Sequence, residues 1–372
     1  MKTNFNYNKK QSFFIIFKNI NWSIVAVLFI LFGIGCMVLY SASGGNFYLL
    51  VQKHIFKFLF SLSIFFILCF INYETYKNYS YLLYALSIVA LIALIFFGVE
   101  SAGSKRWINL GLFSIQPSEF TKIFLIFALA RYYQDLEHIE NSSILKLILP
   151  LFAIFLPFLL IVNQPDLGTS ILLLINGLSI IILSGLSIWL ILLGGVLFLA
   201  FIPLVWNFLH FYQKQRILTF LNPENDPLGS GYHIAQSKIA IGSGGFFGQG
   251  YMKGSQSQLE FIPEIHTDFV FSIFSEEFGF IGSLIIIFLY LYLLSYGVLS
   301  CFKAKNIYDK LIVFGLTMNF FLYFLINISM VIGLVPVVGV PLPIISYGGS
   351  SMLAILISFG IIQNINIKGK ST

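Results

Sequence analysis

The stretch WSIVAVLFILFGIGCMVLY, residues 22–40, runs from end to end without a charged side chain. A helix needs about 20 apolar residues to cross the hydrocarbon core of a bilayer, so this stretch predicts a transmembrane helix. Lysines precede the stretch, and YSASGG at 40–45 loosely resembles a signal-peptidase site. The run is long for a signal-peptide core, which favours a first helix that the protein retains over a cleaved leader.

The rest of the chain repeats this pattern. Of its 372 residues, 58% are hydrophobic and 10% are charged, whereas a soluble domain is about one quarter charged. Lipid accepts apolar surface that a soluble core of this length would leave in water, so the composition predicts a multi-pass membrane protein. Apolar runs predict ten spans, near residues 22–41, 55–72, 80–98, 118–134, 144–162, 168–184, 186–208, 270–300, 310–334 and 348–366. Because lipid makes each segment satisfy its own backbone hydrogen bonds, the predicted fold class is an all-α polytopic membrane protein, with one integral domain over residues 1–372.

The distribution of Lys and Arg predicts the orientation of these spans. With the N-terminus in the cytoplasm, the inner segments carry twelve Lys and Arg residues and the short outer loops carry four. Basic residues collect in cytoplasmic loops, which favours cytoplasmic N- and C-termini. Merging the two spans within 168–208 would give nine spans and an outer C-terminus, which the tail lysines oppose. One long outer loop remains, residues 209–269, and its middle, 232–241, is amphipathic enough for a short interfacial helix.

Several classes of function are disfavoured by the sequence. The net charge of +6 follows from the cytoplasmic lysines, and no nucleic-acid-binding motif accompanies it. Three scattered cysteines and five scattered histidines show no spacing typical of a protein metal site or of a disulfide framework. The glycine-rich stretch at 231–250 has neither the GxGxxG nor the Walker spacing, so nucleotide binding is disfavoured. No built-in cofactor is therefore expected, although a divalent cation carried by a substrate pyrophosphate is compatible with the sequence.

Ionisable residues are almost absent from the predicted spans and cluster near their outer ends. Carriers coupled to protons or ions usually place such groups at mid-membrane, so the candidate site lies at the outer interface. The first cluster is ESAGSKRWINLGLFSIQPSEFTK, 100–122. Its Lys105, Arg106 and Trp107 suit either an aromatic anchor with two snorkelling cations or an anion clamp.

The same cluster predicts the start of a helix. Ser118 is expected to cap the helix after Pro117, with Glu119 in its first turn. Lys122 lies three residues further on, on the same face, and about one turn into the span. A lysine there is costly unless it pairs with Glu119 or with a ligand anion.

The second cluster lies in the glycine-rich stretch at 231–250. Gln236 and Lys238 are candidates to meet a phosphate, and Lys238 is equally explained as a solvated interfacial cation. The glycines either let backbone approach a ligand closely or permit tight turns.

The third cluster is EFIPEIHTDFVFSIFSEEFGF, 260–280. Thr267 is expected to cap a long helix that starts at Asp268, whose carboxylate the helix dipole would keep ionised and able to accept a proton. The alternative is that Asp268 is only a favourable first-turn charge. Glu276 and Glu277 are expected at the outer boundary of the membrane, about 12 Å along the helix from Asp268.

The last unusual stretch is GLVPVVGVPLPIISYGGSS, 333–351. Its three prolines interrupt the outer end of a span. Irregular backbone at membrane depth is tolerated where protein or a cavity buries it, so this stretch is expected to line a groove beneath the acids.

Taken in order, these stretches resemble the SEDS family (shape, elongation, division and sporulation) of bacterial ten-span proteins. The matching words are GSKRWINLG, QPSEFTK, NQPDLGTS, GYHIAQSKIAIGSGG, FIPEIHTDFVFS, EEFGFIG and PLPIISYGGSS. QSKIAIGSGGFFGQG, followed by GSQSQLEFIPE, is more similar to the elongation members than to the division members. The resemblance implies a peptidoglycan glycosyltransferase that polymerises lipid II on the outer face of the bacterial cytoplasmic membrane. It also implies a class B penicillin-binding transpeptidase and other rod-complex proteins as partners, and no nucleic acid.

The resemblance also implies roles for individual residues. The family's essential aspartate maps onto Asp268, its functional tryptophan onto Trp107, and the lysine after its QPSE motif onto Lys122. Asp268 is expected to take the proton from the acceptor's 4-hydroxyl, because a sugar hydroxyl is a poor nucleophile without a base. The candidates to stabilise the charge of the leaving pyrophosphate are Arg106, Lys122, Arg216 and Lys238. The candidate substrate-binding set also includes Trp107, Glu119, Gln236, Glu264 and His266.

Two other functions fit parts of the pattern. Ten spans and a proline-broken helix are compatible with a lipid flippase or transporter. The sequence shows neither mid-membrane charges nor a repeated half, which would support that function. A non-catalytic scaffold of the cell-wall synthesis complex would leave Asp268 as a helix-start charge alone.

Overall fold

In a computed structural model, the protein consists mainly of helices, which short elements connect. The structure describes residues 13–71, 73–101, 104–109, 114–136, 145–185, 189, 194, 195, 207, 211–222, 226, 229–255 and 266–371.

Helices make up most of the described residues. They are α1 Phe13–Asn19, α2 Trp22–Ala42, α3 Gln52–Phe70, α4 Tyr73–Phe97, α5 Pro117–Asp135, α6 Leu145–Val162, α7 Leu167–Leu183, α8 Phe211–Leu221, α9 Ser230–Ser243, α10 Val270–Lys303, α11 Ile307–Val331 and α12 Gly349–Ser371. A π-helical turn, Phe47–Val51, leads directly into α3.

Six of these helices are long and apolar enough to cross a membrane: α2, α3, α4, α10, α11 and α12. The chain is therefore an integral membrane protein. Helices α6 and α7 are apolar but shorter, and α5 coincides with the predicted span at 118–134. The predicted span at 186–208 falls outside the described residues, apart from four isolated positions. The structure thus supports six spans directly, and the count of ten stays a prediction.

A small antiparallel sheet departs from the all-α prediction. Strands β1 Val99–Ser101, β2 Ser104–Asn109 and β3 Ser114–Ile115 pair in the order β1-β2-β3 between α4 and α5. Strands of two to six residues are too short to show a reliable alternation of polar and apolar side chains, so the sequence pattern did not predict them. The sheet places Trp107 opposite Val99.

The last helix occupies the centre of the molecule. Helix α12 is the most buried of the six apolar helices, and α4 is the most exposed. One amide joins α12 to the end of α3, because Asn364 Nδ2 donates to the carbonyls of Leu68, Cys69 and Ile71 at 2.9–3.0 Å. These three bonds satisfy the carbonyls that the end of α3 leaves without helical partners.

Helix α10 is broken at Gly279, where the backbone adopts φ 65° and ψ −162°. The break leaves helical carbonyls and amides without intrahelical partners, and the glycine turn (residues 244–250) supplies new ones. The amides of Gln249 and Gly250 donate to the carbonyls of Glu276 and Glu277 at 2.9 and 3.1 Å. In return, the amides of residues 280 and 281 donate to carbonyls of the glycine turn.

The glycines of this turn are required by close backbone approach. A Cβ at Gly248 would collide with the carbonyl of Glu277, and a Cβ at Gly279 would collide with the amide of Gly248. The sequence left open whether these glycines let backbone approach a ligand closely or permit tight turns. For residues 244–250 the second explanation holds, because they form a tight turn against the broken helix.

The two acids just before the break are enclosed by protein. Glu276 and Glu277 are buried, and their expected place at the outer membrane boundary stays a prediction. Glu277 accepts hydrogen bonds from the Ser41 hydroxyl and from the amide of Met252, and Glu276 accepts one from Ser255. The helix runs without interruption from Val270 through both acids and breaks only at Gly279. The sequence missed this break, because a glycine can adopt a positive φ inside an apolar run.

Candidate active site

Asp268 lies in the turn before α10, and not at the first position of the helix. The helix begins at Val270 with Phe269 at its capping position, so the prediction of a helix that starts at Asp268 with Thr267 as its cap placed the start two residues too early. Asp268 is half-buried. Its carbonyl accepts from Nδ2 of Asn327 at 2.9 Å, and the same amide nitrogen donates to the carbonyl of Val340 at 2.7 Å.

The turn that holds Asp268 packs against the proline segment, residues 333–348. A Cβ at Gly339 would lie 3.4 Å from Oδ2 of Asp268, so the carboxylate faces this segment. The hydroxyl of Ser346 donates to the carbonyl of Thr267, and the amide of Tyr347 donates to the carbonyl of His266 at 3.0 Å. Main-chain and side-chain bonds thus fix the turn on both sides of Asp268.

Tyr347 in turn is covered by a cation from α3. The ammonium of Lys57 lies 3.5 Å from the centre of the Tyr347 ring. Burial raises the pKa of Tyr347 above its ordinary value, so the phenol stays neutral at physiological pH. A neutral ring under a cation contributes a cation–π attraction of about 0.5–2 kcal/mol to holding the proline segment in place.

Arg106 on β2 reaches the start of α7. Its Nε donates to the carbonyl of Gln164 at 3.1 Å, another nitrogen donates to Pro165, and Nη1 lies 4.0 Å from the carboxylate of Asp166. Asp166 also caps α7, because it accepts from the amide of Thr169 at 3.2 Å. Arg106 is partly exposed, with 30% of its side chain accessible, so it retains a face for an anion.

The proline segment brings these groups together. A Cβ at Gly168 on α7 would collide with the carbonyl of Val338, which neighbours Gly339 beside Asp268. Arg216 on α8 donates to the carbonyl of Val337 at 3.2 Å. The start of α7, α8 and the turn of Asp268 therefore meet along four consecutive residues of the proline segment.

Lys238 on α9 meets the other end of the proline segment. A Cβ at Gly333 would collide with the end of the Lys238 side chain, and Lys238 is exposed. Gln236 on the same helix is half-buried, as are Trp107 and His266. Glu264 lies outside the described residues.

Lys122 and Glu119 form a buried ion pair on α5. The ammonium lies 3.0 Å from Oε1 of Glu119, at the predicted i,i+3 spacing, and neither side chain is exposed by more than 3%. Tyr323 of α11 donates to Glu119 and accepts from Lys122. The lysine is therefore compensated inside the protein, and its ammonium is not open to a substrate anion in this structure.

The start of α5 differs from the prediction. Gln116 occupies the capping position, Pro117 follows it, and Ser118 lies inside the first turn. Proline at the first helical position needs no amide partner, which explains why the helix begins here without a serine cap. The side chain of Gln116 instead donates to Asp166 at 2.8 Å, so it links α5 to α7.

Three residues of this region escaped sequence reasoning: Asn327, Asp166 and Tyr323. Each is held by a partner far away along the chain, and one sequence carries no signal of such contacts. Asp166 alone had a local sign, because an aspartate three residues before a threonine at the start of an apolar run is typical of a helix cap.

The arrangement suits chemistry between a hydroxyl and an anion. The carboxylate of Asp268, in a turn held through its backbone, faces a segment that Arg216 and Lys238 contact. The same segment packs against α7, whose start Arg106 reaches. Among the described residues, no group of three or more His, Cys, Asp and Glu side chains is placed to hold a metal ion. A carboxylate beside cations can accept a proton while the cations bind a phosphate.

Comparisons with known proteins agree with the membrane fold. The cell cycle protein family model FTSW_RODA_SPOVE matches residues 21–371. The peptidoglycan glycosyltransferase MrdB of Escherichia coli is 47% identical over 275 residues, 74% of each chain. Stage V sporulation protein E of Bacillus subtilis is 35% identical over 354 residues, 92% of this chain and 96% of that protein.

Solved structures give the same result. A chain from a study of polymerization and crosslinking by a peptidoglycan synthase complex superposes with a TM-score of 0.82 and 27% identity, and covers 95% of this chain and 99% of that one. Rod shape determining protein RodA of Thermus thermophilus superposes with a TM-score of 0.70 and 25% identity, over 93% of this chain and 96% of that one.

Proposed function

The chain belongs to the cell cycle protein family that includes FtsW, RodA and SpoVE, and from that premise we propose that Asp268 is the general base of its reaction. The chain is a peptidoglycan glycosyltransferase, in line with relatives of that name. The resemblance to the SEDS family is thereby confirmed. The proposed substrate is lipid II, the disaccharide-pentapeptide on undecaprenyl pyrophosphate, which the enzyme polymerises into glycan strands during cell elongation.

The proposed step is a single displacement. Asp268 takes the proton from the 4-hydroxyl of the acceptor sugar while the oxygen attacks the anomeric carbon of the donor. The bond from that carbon to the pyrophosphate oxygen breaks, and the undecaprenyl pyrophosphate leaves with the electron pair. Attack from the opposite face converts an α-linked donor into a β-linked product.

The observation that carries this proposal is the position of Asp268. Its turn is fixed by Asn327, by Ser346 and by the amide of Tyr347, so the carboxylate has a defined place before any substrate binds. Preorganised groups accelerate a reaction because they need no rearrangement in the transition state.

The cations proposed to stabilise the leaving pyrophosphate are Arg106, Arg216 and Lys238. Arg216 and Lys238 contact the proline segment, Arg106 contacts the start of α7, and all three side chains are exposed or half-buried. Lys122 is left out of this set because Glu119 and Tyr323 enclose it. A divalent cation on the pyrophosphate would arrive as part of the substrate.

The proposed location is the bacterial cytoplasmic membrane, with the turn of Asp268 on its outer face. The excess of Lys and Arg in the segments assigned to the cytoplasm supports this orientation. The proposed partners are a class B penicillin-binding transpeptidase and other rod-complex proteins. The structural relative from a peptidoglycan synthase complex supports the first of these.

One experiment separates this function from a flippase and from a scaffold. Purified protein and its transpeptidase partner are reconstituted in proteoliposomes with labelled lipid II, and glycan polymer and lipid II translocation are both measured. We expect polymer from the wild type, none from Asp268→Asn, and no translocation by either. Translocation without polymer would select a flippase, and the absence of both activities would select a scaffold.

A further inference from the structure

A cavity of about 650 Å³ lies at the opposite end of the molecule from Asp268. Helix α10 begins two residues after Asp268 and reaches the cavity at Lys303. The part of α10 that follows the break at Gly279 alone corresponds to a rise of about 36 Å. The end of α12, the start of α11 and the connection between α1 and α2 complete the wall. The cavity is therefore distinct from the candidate active site.

The inner wall of this cavity is rigid. Asn366 Nδ2 donates to the hydroxyls of Tyr296 and Ser300 at 2.8 and 2.7 Å, and the Tyr296 hydroxyl donates to Gln363 at 3.0 Å. The Gln363 amide pairs with both backbone groups of Asn21 at 3.2 Å. These polar atoms are already bonded to one another, so the wall keeps its shape without a ligand.

The rim of the cavity is cationic. Lys303, Lys305 and Lys368 line it, and the only carboxylate among the described residues of its lining is that of Asp309. Lys303 and Lys305 are exposed, whereas Asp309 is buried. Three ammonium groups around a preformed polar wall favour an anion of phosphate type, which lysine binds as a point charge.

The cavity also opens towards the surface that faces lipid. Tyr292 and Leu299 belong to its lining and are 43% and 55% exposed, and the neighbouring Phe302 is 78% exposed. Lys303 ends the apolar run of α10, so the cavity lies at the level where acyl chains give way to head groups. An anion held here can keep hydrocarbon chains against the exposed apolar face of α10.

We propose that this cavity binds the phosphate group of an anionic phospholipid in the leaflet opposite the active site. The phosphate lies among the three lysines, and the acyl chains lie along Tyr292 and Leu299. A phosphate dissolved in water would meet the same lysines but would gain nothing from the apolar face. A lipid bound here joins the ends of α10, α11 and α12, and so stabilises the fold.

The test uses the purified full-length protein in a neutral detergent. Its thermal unfolding midpoint is measured against increasing short-chain phosphatidylglycerol, phosphatidylcholine or inorganic phosphate. We expect phosphatidylglycerol to stabilise at a concentration about tenfold or more below that of phosphatidylcholine, and phosphate alone to have no effect. In the double variant Lys303→Gln and Lys305→Gln, that preference should fall about tenfold, because both charges are lost from the rim.

Lys310→Gln is the matched control. Lys310 is an exposed lysine near the same helix ends but does not line the cavity, so its variant should keep the preference for phosphatidylglycerol. An equal loss in Lys310→Gln would overturn the proposal in favour of a diffuse surface charge. Equal stabilisation by the two lipids, or by inorganic phosphate, would overturn it as well.

Discussion

Asn327 shows how one buried amide places a reactive carboxylate. Both hydrogens of its Nδ2 are used, one on the carbonyl of Asp268 and one on the carbonyl of Val340. The residue thereby ties the turn before α10 to the proline segment. Its hydrogen bond to Asp268 is made to the backbone carbonyl, so we assign it a positioning role.

Asn327→Leu is expected to lower the turnover number of glycan polymerisation about 10- to 100-fold, with a smaller change in KM. Leucine has a similar volume but cannot donate, so the two carbonyls separate and the carboxylate shifts from its place. Steady-state kinetics per mole of folded protein measure this effect.

The control is Asn319→Leu on the same helix. Asn319 is fully buried, and its amide makes no hydrogen bond within the described part of the chain. Its substitution should therefore keep the turnover number within about twofold of the wild type. A normal turnover number for Asn327→Leu, with only a lower thermal stability, would show that Asn327 is merely structural.

At the scale of elements, the glycine turn and the break in α10 form one unit. Four backbone hydrogen bonds link residues 245, 246, 249 and 250 to the interrupted helix. The break follows Glu276 and Glu277, which are buried and accept hydrogen bonds from hydroxyl and amide groups. The glycine pattern was visible in the sequence, but its partner was not, because a lone glycine within an apolar helical pattern does not reveal a break.

Gly279→Ala is expected to destabilise the protein by about 1–3 kcal/mol, because alanine is strained at φ 65° and its Cβ meets the glycine turn. Thermal unfolding in detergent measures the loss. Gly242→Ala is the control, since a methyl group there would meet no atom within 4 Å and the φ of Gly242 is ordinary. An unfolding midpoint of Gly279→Ala at or above that of Gly242→Ala would contradict the role of the break.

The ion pair of α5 makes a second prediction at this scale. Lys122→Met should cost about 3–5 kcal/mol of stability, because it leaves the buried carboxylate of Glu119 without its cation. The double variant Glu119→Gln and Lys122→Met removes both charges and should recover most of that loss. Thermal unfolding measures these stabilities. A double variant that is less stable than either single variant would rule out a compensating pair.

At the scale of the whole molecule, composition and motifs predicted more than local patterns did. Long apolar runs require membrane helices, so the sequence predicted α2, α3, α4, α10, α11 and α12. Most of their ends lie within a few residues of the prediction, whereas α4 begins seven residues earlier. The sheet between α4 and α5 did not, because its strands are too short to leave a pattern. The candidate site was predicted only in part. Asp268 could be identified as a charge in an apolar chain, whereas the sequence did not reveal its distant partners Asn327 and Ser346.

The position of Asp268 relative to the basic groups also depended on tertiary structure. Sequence reasoning named Arg106, Arg216 and Lys238, which are far apart along the chain. The proline segment meets Arg216 at Val337 and Lys238 at Gly333. At Val338 it packs against α7, whose start Arg106 reaches. Lys122, the cation that the sequence favoured most, is instead enclosed by Glu119 and Tyr323.

The central claim is that Asp268 removes the acceptor proton, and its most direct test is the initial rate of glycan polymerisation by Asp268→Asn. The variant is purified with the proposed transpeptidase partner, and Asp226→Asn, an acid-to-amide change in the connection between α8 and α9, is the matched control. We predict that Asp268→Asn loses about 100- to 10,000-fold in rate while it still binds lipid II, as expected for a missing general base. A rate within a few-fold of that of Asp226→Asn would contradict the account.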